Sequence, residues 1–325
     1  MYNHLSMLSE LLAWCLELGI RRDTSFYVGM PMQYTGGLAL SLSTLLVGGE
    51  VLLPETKYDN NLNQVWRHYQ KCLANRKIHF TLFMPDQIRT FMKIAKNPLG
   101  GPTILTMGAQ ISGEEKQKAA RLFKSPMIES WGNSEGLGTI TEKEDLRFRP
   151  NSIGRPFLTE NVCIVTEELS ECKPTQIGRL AGAEETMFVE YANRAEATKQ
   201  VKKSKLILSD DIGYKDNDGY FYILGRCQEA FIVGDKTVFI SDIEKKIRKI
   251  IGNSTMCIIP YIINESPQFR LAVESKKTIN EKLLRKVIEK TFKVKLSEIV
   301  VIDELPRLTS GKVNRLEVAK MFSKV

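Results

Sequence analysis

Histidine is scarce: only His4, His68 and His79 occur in 325 residues, and none lies in a glycine-rich or polar turn. That disfavours Ser-His-Asp and Cys-His catalysis, which needs an imidazole held beside the nucleophile. The six cysteines, at 15, 72, 163, 172, 227 and 257, contain no C-x-x-C pair. A zinc site and a disulfide framework are both disfavoured, and reduced, buried or half-buried thiols are expected. Long charge-free apolar runs are also missing: residues 36–47 are apolar but short of the roughly 20 residues that span a bilayer. The amino end lacks the basic start and small-residue cleavage site of a signal peptide, so the expected location is the cytoplasm.

What is present is a chain that is 43% hydrophobic and, at 325 residues, long enough for two domains. Its net charge of +8 is uneven. From Arg226 onward there are 20 Lys and Arg against 12 Asp and Glu, whereas residues 1–225 hold 26 of each sign. Such a basic third meets nucleic acid, a membrane surface or phosphate groups. Aromatic interleaving of the single-strand-binding kind is absent around it, which places small phosphates ahead of nucleic acid.

Residues 4–18 carry apolar side chains at helical spacing and stop at Gly19, a natural helix end. Short apolar runs and helical segments then alternate through MIESWG at 127–132, with a capping box, Ser112 and Glu115, opening one helix. Alternation of this kind predicts a mostly parallel sheet covered by helices on both faces. Past Pro150 the texture becomes strands and turns, with strands expected in NVCIVTEE, QIGRLAGA and TMFVEYAN, and a hairpin about KDNDG at 215–219. A small α+β unit follows. The expected division is 1–225 and 226–325, within GRCQE.

Three motifs bear on chemistry. SWGNSEG, 130–136, ends a strand in a small-residue turn and offers Ser134 and Glu135 beyond the strand's carboxyl edge, where open α/β sheets bind ligands. Taken alone, such a pair is more often an N-cap and a surface acid. SDDIGYKDNDGYFYILGR, 209–226, carries Asp211 and Arg226, an acceptor for ribose hydroxyls and a forked cation, with Asp216 and Asp218 shaping the turn. LPRLTSGKVNR, 305–315, places Lys312 in a polar loop.

Taken in order, the three resemble the adenylate-forming superfamily of acyl-CoA and aryl-CoA synthetases, nonribosomal adenylation domains and firefly-type luciferases. SWGNSEG resembles its aromatic-Gly-x-Thr-Glu motif, 209–226 its Thr-Gly-Asp to Gly-Arg stretch, and 305–315 its Pro-Arg-x-x-x-Gly-Lys-x-x-Arg loop. The resemblance implies a large adenylation domain and a small, mobile carboxyl-terminal domain. It implies an AMP-forming ligase that activates a carboxylic acid with ATP and Mg²⁺ and passes it to CoA or a carrier-protein phosphopantetheine thiol. By position it makes Trp131, with Gly132, the adenine-side aromatic, Ser134 the α-phosphate contact and Glu135 the Mg²⁺ ligand. Gly108, Ala109 and Gln110 match the small-residue turn beside adenine and acyl group, Asp211 the ribose acid, Arg226 the linker arginine and Gln228 the hinge. Lys312 matches the lysine that bridges carboxylate and α-phosphate. The acyl pocket falls in MPMQYTGGL, at Gln33, Tyr34 and Gly36, where amino-acid-activating relatives carry an Asp; its absence favours a fatty, aryl or similar acid.

The chain also departs from the family pattern. The Ser/Thr/Gly-rich phosphate loop, which precedes a segment resembling MYNHLSMLSELL, has no counterpart here, implying a truncated or split member or one that has given up efficient ATP use. Asp210 replaces the glycine of Thr-Gly-Asp, a second carboxylate that must turn outward to avoid repelling phosphates. Two rival functions follow: a non-catalytic or partner-dependent adenylate-binding relative, and a luciferase-like oxygenase. An exposed sheet edge is expected where the missing portion packs, favouring self-association or an amino-terminal partner.

Overall fold

The computed structural model describes residues 1–54, 62–95, 100–158, 162–183, 188–234, 236–252, 254–263, 266–307 and 313–322. Contacts divide the chain into Met1–Ile223 and Leu224–Val325. No helix among the described residues is long and apolar enough to cross a membrane.

The first unit opens with α1 (His4–Leu18), where the Asn3 side chain caps the helix start by accepting from Ser6 N–H at 2.7 Å. Then follow β1 (Ser25–Val28), α2 (Thr35–Leu46), β2 (Glu50–Leu52), α3 (Leu62–Asn75), β3 (Phe80–Phe83), α4 (Pro85–Ile94), β4 (Thr103–Thr106), α5 (Gly113–Phe123) and β5 (Met127–Gly132). These five strands are parallel, in the order β2-β1-β3-β4-β5. Beyond β5 the sheet continues antiparallel through β6 (Gly138–Ile140) and, after α6 (Asp145–Phe148), β7 (Arg155–Pro156). Pairing at 138–140 and 155–156 escapes sequence reading because such short strands carry no period.

Both sheet faces are covered, as the apolar strands require. Alternate residues of β1 divide between two cores. Phe26 and Val28 join Trp14 and Leu18 of α1 and Leu40 of α2, whereas Tyr27 joins Trp66 and Tyr69 of α3, Phe91 of α4 and Phe123 of α5. The Tyr69 hydroxyl accepts from Thr81 Oγ1 at 3.0 Å, so its burial leaves no stranded polar group. Each such aromatic contributes on the order of 1.5–3 kcal/mol by leaving water.

The β-rich part contains β8 (Val162–Val165), β9 (Gly178–Ala183), α7 (Ala195–Val201), β10 (Lys202–Lys203), β11 (Leu206–Lys215) and β12 (Phe221–Arg226). Its order is β10-β11-β9-β8, with β12 on β11. In the β11–β12 turn the Asp216 carboxylate accepts from the N–H groups of Asp218 and Tyr220 at 3.0 and 2.9 Å, a turn-shaping role. The strand expected in TMFVEYAN is not formed among its described residues. Their backbone bonds go to scattered partners instead: the N–H groups of Phe188, Val189 and Tyr191 donate to the Glu135 carbonyl, the Met1 carbonyl and Thr198 Oγ1.

The second unit has a 3-10 turn at Cys227–Glu229, a hairpin of β13 (Ala230–Val233) and β14 (Lys236–Phe239), and α8 (Ile240–Ile251). After these come β15 (Met256–Ile263), β16 (Ser266–Glu274), α9 (Glu281–Phe292), β17 (Lys295–Ile302) and α10 (Arg315–Phe322). β16 pairs antiparallel with β15 and parallel with β17. Ile243 and Ile247 of α8 and Leu284 and Ile288 of α9 pack on Ile258, Phe269 and Leu271 of this sheet.

Candidate functional site

The carboxyl ends of β1, β4 and β5 lie on one edge of the parallel sheet, and each leads into a segment singled out by sequence. After β1 the chain turns at Pro31, whose carbonyl accepts from Tyr34 N–H at 3.1 Å. Gln33 is exposed and Tyr34 half-buried at the start of α2. A Cβ on Gly36 would stand 2.2 Å from Met107 Sδ, so the glycine lets this helix and the Met107 side chain at the end of β4 sit close without Met107 shifting.

Met107 leads to Gly108, which has φ +91°, a left-handed conformation that favours glycine, and residues 108–110 are exposed. Arg89 of α4 holds this turn: its guanidinium donates to the Gln110 carbonyl at 2.9 Å, to Asp86 at 2.8 Å and to Glu115 at 2.7 Å. Burial alone would raise the Glu115 carboxyl, but Arg89 and the Ser112 cap hold it down at about 2.

β5 delivers the third segment. Trp131 is half-buried, and its indole N–H donates to Asp211 Oδ2 at 3.2 Å, a contact across 80 residues of sequence. Asp211 N–H in turn donates to Ser209 Oγ at 2.9 Å. Asn133 Oδ1 accepts from the N–H groups of Glu135 and Leu137 at 3.2 and 3.0 Å, which shapes the turn. Ser134 is exposed, its Oγ 3.5 Å from Thr35 Oγ1 at the head of α2, while its carbonyl accepts from the Tyr2 hydroxyl at 2.9 Å. Glu135 Oε1 accepts from the Tyr191 hydroxyl. Burial first, and the Glu135 carboxylate second, keep that phenol above its ordinary range, so it stays protonated and donates. Asp210 pairs with Arg179 at 3.3 Å, an arrangement that masks the second carboxylate.

Among the described residues no group of three or more His, Cys, Asp or Glu gathers to hold a metal. The half-buried Glu135 carboxylate is nonetheless the kind of protein donor Mg²⁺ uses when phosphate oxygens and water complete its shell.

The structure therefore brings Thr35, beside Tyr34 and Gly36, to Ser134 and joins Trp131 to Asp211, with Gly36 seated against Met107 just before the 108–110 turn. Arg226 and Gln228 belong to the second unit, exposed, at and within its opening turn. Lys312 lies outside the described residues, but both ends of its loop are fixed. Arg307 bridges to Val313, Asn314 N–H donates to the Pro306 carbonyl at 2.7 Å, and Glu274 accepts from Leu305 N–H and Arg307. Arg315 donates to Glu229 at 3.0 Å and to the Ile258 carbonyl at 2.7 Å.

Sequence reading missed Arg89, Tyr191 and a buried pair below the site, Lys116 of α5 with Glu129 of β5, 2.5 Å apart and 4% and 9% exposed. A signal for the last existed: Lys116 shares the helix face of Ala119 and Phe123, and Glu129 is the one acid within an apolar strand. Nothing in the sequence singles out Tyr191.

Residues 1–192 match the AMP-binding enzyme family. The chain is 25% identical over 318 residues to luciferin 4-monooxygenase of Photuris pensylvanica, covering 94% of this chain and 57% of that protein. It is 23% identical to the uncharacterized acyl–CoA ligase YhfT of Bacillus subtilis, covering 98% and 64%, and 24% identical to 2-succinylbenzoate–CoA ligase of Oceanobacillus iheyensis, covering 94% and 63%. The chain thus spans roughly three fifths of the curated relatives it matches. Among solved structures, O-succinylbenzoate CoA synthetase (MenE) of Bacillus subtilis in complex with AMP superposes with TM-score 0.82 at 17% identity, covering 98% of this chain and 65% of that one. ATP-bound MatB of Rhodopseudomonas palustris gives 0.83 at 18%, covering 100% and 65%. The fold is that of these adenylate-forming enzymes, and with its family match extending from the first helix through the SWGNSEG turn, the chain belongs to the AMP-binding enzyme family.

Proposed function

We propose that this chain carries the nucleotide-binding and carboxyl-terminal parts of an AMP-forming acid–thiol ligase acting in the cytoplasm. Residues 1–225 serve as adenylation domain and 226–325 as the mobile small domain turning about Gln228. The carrying observation is the Trp131–Asp211 hydrogen bond at 3.2 Å, which joins the adenine-side and ribose-side motifs at one sheet edge. Ser134 donates to the α-phosphate, Asp211 accepts from the ribose, Arg226 supplies a cation to the nucleotide, and Glu135 holds Mg²⁺. The cation, when bound, neutralises charge on the phosphates. Lys312 stands between carboxylate and α-phosphate and stabilises the charge that builds as they join.

The acid lies against Gln33, Tyr34 and Gly36, with no carboxylate among them to meet an ammonium. Fatty, aryl or dicarboxylic acids without an α-amino group are therefore the substrate class, in keeping with the relative named for 2-succinylbenzoate. The thiol is CoA or a carrier-protein phosphopantetheine.

The test is acid-dependent exchange of labelled pyrophosphate into ATP by the purified 325-residue chain. Exchange is expected with at least one acid of an aryl, fatty and dicarboxylic panel, and Asp211→Ala is expected to lower it at least 10-fold, on the order of one lost charge-assisted hydrogen bond. No exchange over the whole panel sinks the autonomous ligase and favours an adenylate-binding module. Acid-dependent oxygen uptake or light without CoA consumption assigns the chain to oxygenation.

A further inference from the structure

The segment after β9 does more than connect strands. Phe188 N–H donates to the Glu135 carbonyl at 3.0 Å, and three residues on, the Tyr191 hydroxyl donates to the same residue's carboxylate. One short stretch thus grips both the backbone and the side chain of Glu135.

The grip is itself built. The Tyr191 and Phe188 rings pack with centroids 4.8 Å apart, and Tyr191 N–H donates to Thr198 Oγ1 at 3.0 Å. Thr198 belongs to α7, and Arg194 N–H donates back to the Tyr191 carbonyl at 3.1 Å. Lys202, just past α7, donates to the Val189 carbonyl at 2.9 Å. The Tyr191 ring is therefore set by Phe188 and its backbone by α7, independently of any ligand at Glu135. From the other side Asn133 fixes the Glu135 backbone N–H.

A glutamate has three side-chain torsions, and unrestrained it presents its oxygens in many directions. Here Oε1 is engaged by the phenol, and among the described residues nothing bonds Oε2. A monodentate carboxylate ligand needs this state: one oxygen oriented by a donor from the protein, the other available to a cation.

We propose that Tyr191 is a positioning residue for Glu135, fixing its carboxylate to receive a divalent cation that arrives with the nucleotide's phosphates. The proposal rests on the adenylate-forming reading of the site and adds to it a residue outside the three motifs. Tyr191 touches neither nucleotide nor acid in this scheme. It acts only through Glu135.

The experiment measures ATP affinity by calorimetry for the full chain, with Mg²⁺ and with EDTA. For the wild type, Mg²⁺ tightens ATP binding. Tyr191→Phe, which removes one oxygen and keeps the ring on Phe188, is expected to cut that gain about 10-fold, the usual scale for losing an outer partner of a metal ligand. Its affinity in EDTA and its melting temperature stay at wild-type values. Glu135→Gln abolishes the gain, and Glu135→Gln with Tyr191→Phe is no worse than Glu135→Gln alone, as coupled residues require. A Tyr191→Phe protein that keeps the full gain overturns the proposal, as does one that loses ATP affinity equally with Mg²⁺ and EDTA, the mark of a purely structural role. A wild type with no Mg²⁺-linked ATP binding removes the adenylate reading itself, and this proposal with it. The arms thereby separate the two failures.

Discussion

Lys116→Met is expected to cost the first unit about 3–5 kcal/mol in chemical denaturation, the usual loss when one member of a buried ion pair is removed. Methionine keeps the volume, so the effect measures pairing and not a cavity. Lys116 and Glu129 are nearly enclosed between α5 and β5, with Lys116 Nζ also reaching the Ser152 carbonyl at 3.4 Å. Burial pushes the Glu129 carboxyl up, while the Lys116 charge and hydrogen bond pull against it. Without the lysine only the upward push remains. A carboxyl raised in the folded state holds a proton that the unfolded chain releases above about 4.3, so folding loses stability as pH rises from there. The deficit of Lys116→Met is accordingly expected to be largest near neutrality and to shrink toward pH 5. Adding Glu129→Leu should restore most of the loss at pH 7, because it removes the stranded charge. A single variant as stable as wild type at pH 7 would count against the buried pair.

This pair shows where the sequence was legible and where it was not. The β1–β5 alternation could be read because strand and helix periods differ and every strand is bounded by turn residues. The α5 start was equally legible: Ser112 and Glu115 form their capping box, with Ser112 Oγ accepting from Glu115 N–H at 3.2 Å. Periodicity sorts residues by polarity, however, and so sends Lys116 and Glu129 to the surface. Only their mutual burial makes them compatible with the interior, and that is a pairwise fact between a helix and a strand.

Residues 188–193 illustrate the complementary error. Their β-favouring side chains, Phe188, Val189 and Tyr191, suit a strand, yet no sheet edge takes them; single bonds to Met1, Glu135 and Thr198 do. Such contacts depend on which loops face each other, information that no local window contains. The motifs were legible for the opposite reason: Trp131, Ser134 and Glu135 sit in one turn, and that turn's shape follows from Asn133 and the glycines around it. That Trp131 then reaches Asp211 had to come from the fold, which sets the end of β5 against β11.

Lys312→Ala is expected to lower acid-dependent pyrophosphate exchange by about 10²–10³-fold, the scale of removing one preorganised charge from a developing anion. ATP affinity should change little. A group that acts as carboxylate and phosphate come together contributes to the transition state more than to the bound ground state. Lys312→Arg should not restore the rate, because a planar fork cannot occupy the single point between two oxygens that a compact ammonium can. The ends of the loop make this a clean test of chemistry. Glu274 holds Leu305 and Arg307, Arg307 bridges to Val313, and Arg315 is tied to Glu229 and to the Ile258 carbonyl, so truncating Lys312 removes none of these anchors. The thermal melt of the variant should therefore superimpose on that of the wild type. Thioester formation from a chemically prepared acyl-adenylate should also survive, since in that half-reaction the lysine has no phosphate bond to make. Exchange that persists undiminished in Lys312→Ala would place the bridging charge elsewhere, and Arg226, exposed at the opening of the second unit, would be the next cation to replace.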